Sequence, residues 1–129
     1  MPHDAIGQTA MIRYRMAVKD VFYGGGVVPG SRSFALMGDA AERLMIKVHK
    51  NPGRCVGIKR LRLYAPVFAG DYMEFHARVV AVEGDETIIE ARSFKIAYLP
   101  EHPPFESSID VYEDPPLSVV GIFRYKSLK

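Results

Sequence analysis

The sequence has a single cysteine in 129 residues, so no intrachain disulfide can form, and no CxxC pair or close Cys/His cluster has the spacing of a structural zinc site. Cys55 is expected as a small buried hydrophobe rather than a nucleophile. Long apolar runs are also missing. None could span a bilayer, and residues 1–10, which hold Pro, His, Asp and Gln, lack the apolar stretch of a secretory signal. The expectation is a cytoplasmic protein with no membrane partner. An excess of one charge is lacking too: 17 Lys and Arg face 15 Asp and Glu, a formal charge of +2. That balance removes any global electrostatic reason to expect nucleic acid as a partner. The four histidines, His3, His49, His76 and His102, are scattered without ligand spacing, and no metal site is expected from them.

What is present is an ordinary globular composition, 48% hydrophobic and 25% charged. The length suits one domain over residues 1–129, since two domains would each be too small to bury a core. Residues 10–18 mix charged and apolar types (Met11, Ile12, Arg13, Tyr14, Arg15, Met16) as a first strand with one wet face does. Residues 20–30 carry Gly24, Gly25, Gly26, Pro29 and Gly30, a density that no regular element tolerates and that marks a loop with a backbone role. From Ser31 onward, Phe34, Met37, Ala41, Leu44, Met45 and Val48 recur at three- and four-residue spacing, which predicts an amphipathic helix. Ser31 is its candidate N-cap and Asn51-Pro52-Gly53 its stop, giving a helix of about eighteen residues where about twelve is usual.

Three β-type runs follow at residues 55–65, 71–82 and 87–99, with Glu83-Gly84-Asp85-Glu86 as the turn between the last two. Phe75, Ala77, Val79 and Ala81 take one face of their strand, and Glu74, His76, Arg78 and Val80 the other. The expected arrangement is an antiparallel meander. Residues 100–116 are rich in proline and acids and predict a long surface connection, and residues 117–125 a last strand. This is an α+β pattern. One long helix can be buried only if the antiparallel sheet curls round it, which is the hotdog arrangement. A lone wrapped helix leaves a sheet edge and an apolar flank open, and a symmetric homodimer or larger homo-oligomer would cover them.

Three segments carry a likeness to a known family. They are Lys19-Asp20-Val21-Phe22-Tyr23-Gly24-Gly25 with Gly30 and Arg32 after it, Gly38-Asp39-Ala40-Ala41, and Ala65-Pro66-Val67-Phe68-Ala69-Gly70-Asp71-Tyr72-Met73-Glu74. Through them, over about residues 11–97, the chain resembles the 3-aminobutyryl-CoA and β-alanyl-CoA ammonia lyases. These are hotdog proteins that act on short β-aminoacyl-CoA esters in amino-acid fermentation. The third segment is common to many hotdog thioesterases and dehydratases and speaks for the fold; the first two are more specific. In the family pattern a His precedes the loop tyrosine and an acidic residue follows the Gly-Asp pair. Here those places hold Phe22, and Arg43 or its neighbour Glu42, while Lys59, Arg60 and Arg62 make the strand before Ala65 more basic. Such departures imply a different substrate or reaction if proton-transfer groups have been lost or moved.

Eliminating ammonia from a thioester requires a polarised carbonyl, a base for the α-proton, and an acid or counter-charge at the leaving amine. Unpaired N–H groups at the helix start can polarise the carbonyl, and a loop of Gly24, Gly25 and Gly26 would let a thioester approach them, although three glycines also simply make a turn. Asp39 lies opposite the apolar stripe, facing either solvent or a partner subunit. It is the candidate base or ammonium anchor, against the plainer reading of an ion pair with Arg43 four residues on. Glu42, at the stripe's margin, is a weaker candidate. Tyr23 would orient a polar acyl group, and Asp20 either contacts substrate or caps local backbone. Asp71 is a turn acid. Arg60 and Arg62, in the basic cluster with Lys47, Lys50, Arg54 and Lys59, could bind the phosphates of coenzyme A, although any one of these cations could equally belong to a solvated face. Arg32, which follows the glycine loop, is a further candidate for binding substrate. No cofactor is expected beyond coenzyme A as part of the substrate. A lyase, a thioesterase and a non-catalytic acyl-CoA-binding protein remain open at this point.

Overall fold

The computed structural model describes residues 2–21 and 24–129. The chain runs β1 (Thr9–Arg15), β2 (Val27–Val28), α1 (Gly30–His49), β3 (Arg54–Leu63), β4 (Val67–Phe68), β5 (Tyr72–Glu83), β6 (Glu86–Tyr98), β7 (Asp110–Val111) and β8 (Leu117–Lys126). The predicted stripe is the buried face of α1: Met37, Ala41, Leu44 and Met45 are wholly covered, with Phe34 and Val48 packed beside them. The helix begins earlier than predicted. Pro29 takes the cap position in extended geometry and contributes no side-chain bond, so Ser31 falls inside the first turn instead of capping it. Proline's fixed φ suits this entry, and its missing N–H matters little where helical N–H groups are unpaired anyway. The far end lies where Asn51-Pro52-Gly53 predicts it. Lys50 turns left-handed, and Asn51 Oδ1 accepts from the Gly53 N–H at 2.9 Å.

The sheet is antiparallel, in the order β1-β5-β6-β8-β3, with β7 beside the end of β6. The β5–β6 hairpin turns at Gly84-Asp85 as predicted. A simple meander is corrected. β1 occupies the free side of β5, placing Ile12 opposite Phe75, and β3 emerges from α1 at the other edge of the sheet, where it pairs with β8. Phe75, Ala77 and Val79 face α1 as the alternation predicts. A register shift between Val79 and Ala81 takes Ala81 out of strict alternation, and it is only partly buried. Cys55 is exposed, not buried. It sits on β3, an edge strand, so one side of it has no neighbouring strand to cover it. No helix among the described residues is long and apolar enough to cross a membrane.

Candidate active site at the glycine loop and helix start

Two segments far apart in sequence are hydrogen-bonded to each other at one end of the helix. β2, which leaves the glycine loop, pairs antiparallel with β4, and the Ala69 N–H donates to Gly26 O at 3.0 Å. On the other side of the same clamp, the Gly70 N–H donates to Met16 O at 2.7 Å and the Met16 N–H to Asp71 O at 2.9 Å. Asp71 is the predicted turn acid: its Oδ2 accepts from the Phe68 N–H at 2.8 Å and faces Lys95 Nζ at 3.1 Å. The loop is thus held on both flanks by backbone bonds. Within it Gly25 and Gly26 have φ of 79° and 77°, left-handed geometry that a side chain would strain. Gly30 is needed for another reason. A Cβ there would lie 2.8 Å from Leu63 Cδ2, so the glycine lets the helix start approach the end of β3.

Asp20 is a buried carboxylate of this region. Only 3% exposed, its carboxylate accepts from the Ala17 N–H at 2.7 Å, from Arg32 Nε at 2.8 Å and from Tyr14 Oη at 3.2 Å. Arg32 Nη2 in turn donates to Tyr14 Oη at 3.0 Å, closing a three-residue network between β1, the loop and the first helical turn. Burial alone would raise the Asp20 carboxyl. The bonds from Ala17, Arg32 and Tyr14 outweigh it and hold the group below its ordinary value. Hydrogen bonds to Tyr14 and Asp20 likewise hold the guanidinium of Arg32 charged. Asp20 thus bonds local backbone at Ala17, and both of its carboxylate oxygens have partners within the chain. Arg32 remains partly exposed, 31% at its side chain, beside a helix start with no acid in its first turn and no side-chain cap.

Asp39 and Glu42 both stand exposed on the outward face of α1. The Asp39–Arg43 ion pair is not formed: Arg43 reaches sideways and Nη1 donates to Met11 O at 3.1 Å, as Lys47 Nζ does to Thr9 O at 3.0 Å. Asp39 is therefore unengaged by the cation nearest it in sequence. Phe22 and Tyr23 lie outside the described residues. Arg60 and Arg62 are not brought to the loop. They pair with Ile122 and Val120 on the side of the sheet facing away from α1, where they line a groove with Tyr64, Leu117 and Glu90. Among the described residues no group of three or more His, Cys, Asp or Glu could hold a metal ion.

Sequence reasoning missed two tyrosines. Tyr14, read only as part of a strand, is the hub joining Asp20 to Arg32; nothing in the sequence signals a contact eighteen residues away across a loop. Tyr125 is buried in β8 with its hydroxyl 3.7 Å from where a Cβ on Gly38 would stand. Burial, helped by the nearby Cys55, Glu42 and Asp39, pushes its hydroxyl far above the ordinary range, so it stays protonated. Its position in an alternating strand predicts an inward ring but not what the ring's tip meets.

A curled antiparallel sheet round one long helix, with a glycine loop clamped at the helix start, is the hotdog fold. Among solved structures it superimposes on the β-alanyl-CoA:ammonia lyase of Clostridium propionicum with a TM-score of 0.86 at 26% identity, over 96% of this chain and 87% of that one. A mutant acyl-CoA hydrolase from Staphylococcus aureus matches with a TM-score of 0.76 over 94% of this chain and 67% of that one; at 11% identity the likeness is one of fold. No family model matches the chain. The curated 3-aminobutyryl-CoA ammonia lyase of Acetoanaerobium sticklandii is 34% identical over 109 residues, 82% of this chain and 83% of that protein. The chain belongs to the 3-aminobutyryl-CoA ammonia lyase family.

Proposed function

We propose that this protein reversibly eliminates ammonia from a short 3-aminoacyl-CoA, giving the corresponding 2-enoyl-CoA. The observation that carries this reading is the 34% identity to a 3-aminobutyryl-CoA ammonia lyase across most of both chains. The geometry at the helix start supports it. The thioester carbonyl would sit against the uncapped first turn of α1, where unpaired N–H groups and the helix dipole favour the negative charge that develops on oxygen. Asp39 of a second copy takes the α-proton, because the same chain's Asp39 lies nine residues, about 13 Å, down the helix from Gly30. The electrons of that C–H bond form the new carbon–carbon double bond as the bond from the β-carbon to nitrogen breaks. Nitrogen leaves with its electron pair as ammonia, and the proton held by Asp39 passes to it, so the products are enoyl-CoA and ammonium. Glu42, a turn away on the same outward side, is a second carboxylate for the ammonium group. Arg32, oriented by Asp20 and Tyr14, offers its remaining N–H donors to the acyl-CoA. Tyr23 orients the acyl chain. No cofactor is needed beyond the coenzyme A of the substrate.

An exposed carboxylate is a weak base for a carbon acid, so Asp39 needs partial desolvation to act. A second copy of the chain would supply it. Ile46 lies on the same side of α1 and is 50% exposed, and Ile58 and Leu63 on the open edge strand β3 are 52% and 58% exposed, an apolar border that a homo-oligomer would cover.

Purified protein incubated with crotonyl-CoA, with and without ammonium, and analysed by mass spectrometry tests the reading. An ammonium-dependent aminobutyryl-CoA supports it. Free coenzyme A without such an adduct replaces it with a thioesterase, and an unchanged ester points to another acyl group or to a protein that binds acyl-CoA without turning it over. Asp39→Asn, off the buried stripe, is expected to cut turnover by about a hundredfold or more while the melting temperature holds. Undiminished activity would remove Asp39 from the mechanism.

A further inference from the structure

The connection between β6 and β8 is the most open apolar part of the described chain. Leu99, Phe105, Ile109 and Val111 are 71%, 66%, 41% and 75% exposed. Glu101, Glu106, Asp110, Glu113 and Asp114 stand among and just after them, all exposed, and residues 99–114 contain no Lys or Arg. None of the five acids forms an ion pair among the described residues. This is nonetheless a built segment. β7 pairs with β6 through Ala97 opposite Val111, the Tyr112 N–H donates to Ile96 O at 3.0 Å, and the rings of Tyr98 and Tyr112 lie 4.6 Å apart. Pro100, Pro103 and Pro104 restrict the backbone between those anchors. Exposed apolar groups grouped on a restrained strap mark an interaction surface.

Its complement is on the face of the sheet turned away from α1. There a groove of about 210 Å³ is bordered by Arg60, Arg62, Tyr64, Leu117, Val120 and Ile122. Arg92, at the same groove, is taken by Glu90 at 2.9 Å. Arg60 and Arg62 have no carboxylate partner among the described residues, and Tyr64 is 56% exposed. An apolar floor with two unpaired guanidinium groups fits an apolar side chain flanked by acids. Phe105 between Glu101 and Glu106 has that chemistry, and its 66% exposure means that it does not fill its own chain's groove.

We propose that the acidic strap of one copy docks into the arginine-lined groove of another, with Phe105 against Tyr64, Val120 and Ile122 and with Glu101 and Glu106 on Arg60 and Arg62. Every copy carries both halves, so two copies exchanging straps about a two-fold axis, or several arranged in a closed ring, would satisfy every strap and groove. The arginines then serve assembly rather than the phosphates of coenzyme A. The contact is separate from any open-edge pairing of β3 and does not depend on the catalytic reading.

Light scattering after gel filtration reads it directly. Arg60→Glu with Arg62→Glu, and separately Glu101→Arg with Glu106→Arg, are each expected to lower the particle mass by about two- to threefold, and the four changes combined to restore it. Phe105→Ser, on an exposed strap and neutral in charge, should lower the mass without altering the melting curve expected of the smaller particle. Unchanged mass in the charge-reversed proteins overturns the proposal, as does a loss that the combination fails to restore. An unchanged mass with a raised KM for acyl-CoA would return Arg60 and Arg62 to phosphate binding.

Discussion

Asp20 sits beside glycines in a segment where an acid could contact substrate or tie down backbone, and residue-level reading leaves both open. Tyr14 and Arg32 arrive from β1 and from the first turn of α1 and donate to that carboxylate. Because the carboxyl is held below its ordinary value of 3.8, the unfolded chain binds the proton more readily than the folded one. The network's contribution is therefore complete above about pH 4 and is lost as pH falls through 3.8 toward the lowered native value. Asp20→Asn should flatten that acid-side slope in thermal melts taken from about pH 3 to pH 7. It should also lower stability near neutrality by about 1 to 3 kcal/mol, less than for a fully buried pair because Arg32 is partly exposed. An acid slope that persists unaltered in the variant would mean that other carboxylates set it. Arg60 and Arg62 show the opposite outcome at this scale: neighbours in a basic cluster by sequence, they end on the face of the sheet away from the glycine loop.

At the level of elements, the helix was the most legible part. Six apolar residues at helical spacing predict its buried face, and the structure covers four of them fully. Leu44→Ala should cost about 2 to 5 kcal/mol, seen as a lower denaturation midpoint, since the closed core leaves a cavity in place of the lost methyls. The cap was misread because a Ser two residues after a Pro looks like a better cap than the Pro itself, while the pairing of β2 with β4 decides where the chain turns upward into the helix. The glycine loop was legible as a loop but not as a clamped one. A Cβ at Gly26 would meet nothing within 4 Å, so Gly26→Ala should cost only the left-handed backbone penalty, about 1 to 2 kcal/mol. Turnover of crotonyl-CoA with ammonium should fall more than that stability loss accounts for, because the loop's path sets the approach to the helix start. Equal kinetics in the two proteins would show that the loop tolerates the change in path.

For the whole molecule, the sheet order leaves β1 and β3 as edges, and β3 carries exposed Ile58 and Leu63. A long edge strand with apolar side chains invites pairing with another chain. The solution mass is therefore expected to be at least twice the chain's 14.4 kDa, and Ile58→Lys should reduce it, as analytical ultracentrifugation would resolve. A monomeric native protein would refute this and would leave Asp39 without the cover its proposed role requires. By itself the sequence determined the long helix and the five long strands, the side of α1 that is buried, the turn chemistry of the β5–β6 hairpin and the resemblance to the ammonia lyases, because these depend on local periodicity and on short motifs. The two-residue strands β2, β4 and β7, which fall in segments read as loops, are too short to carry a pattern. Only the tertiary structure decided that β3 crosses to β8, that Asp20 is bound by Tyr14 and Arg32, that Cys55 is exposed, and that Arg60 and Arg62 face away from the helix. Each of those depends on which strands become neighbours, and strand neighbours are chosen by the global fit of the sheet around α1 rather than by any residue's immediate sequence.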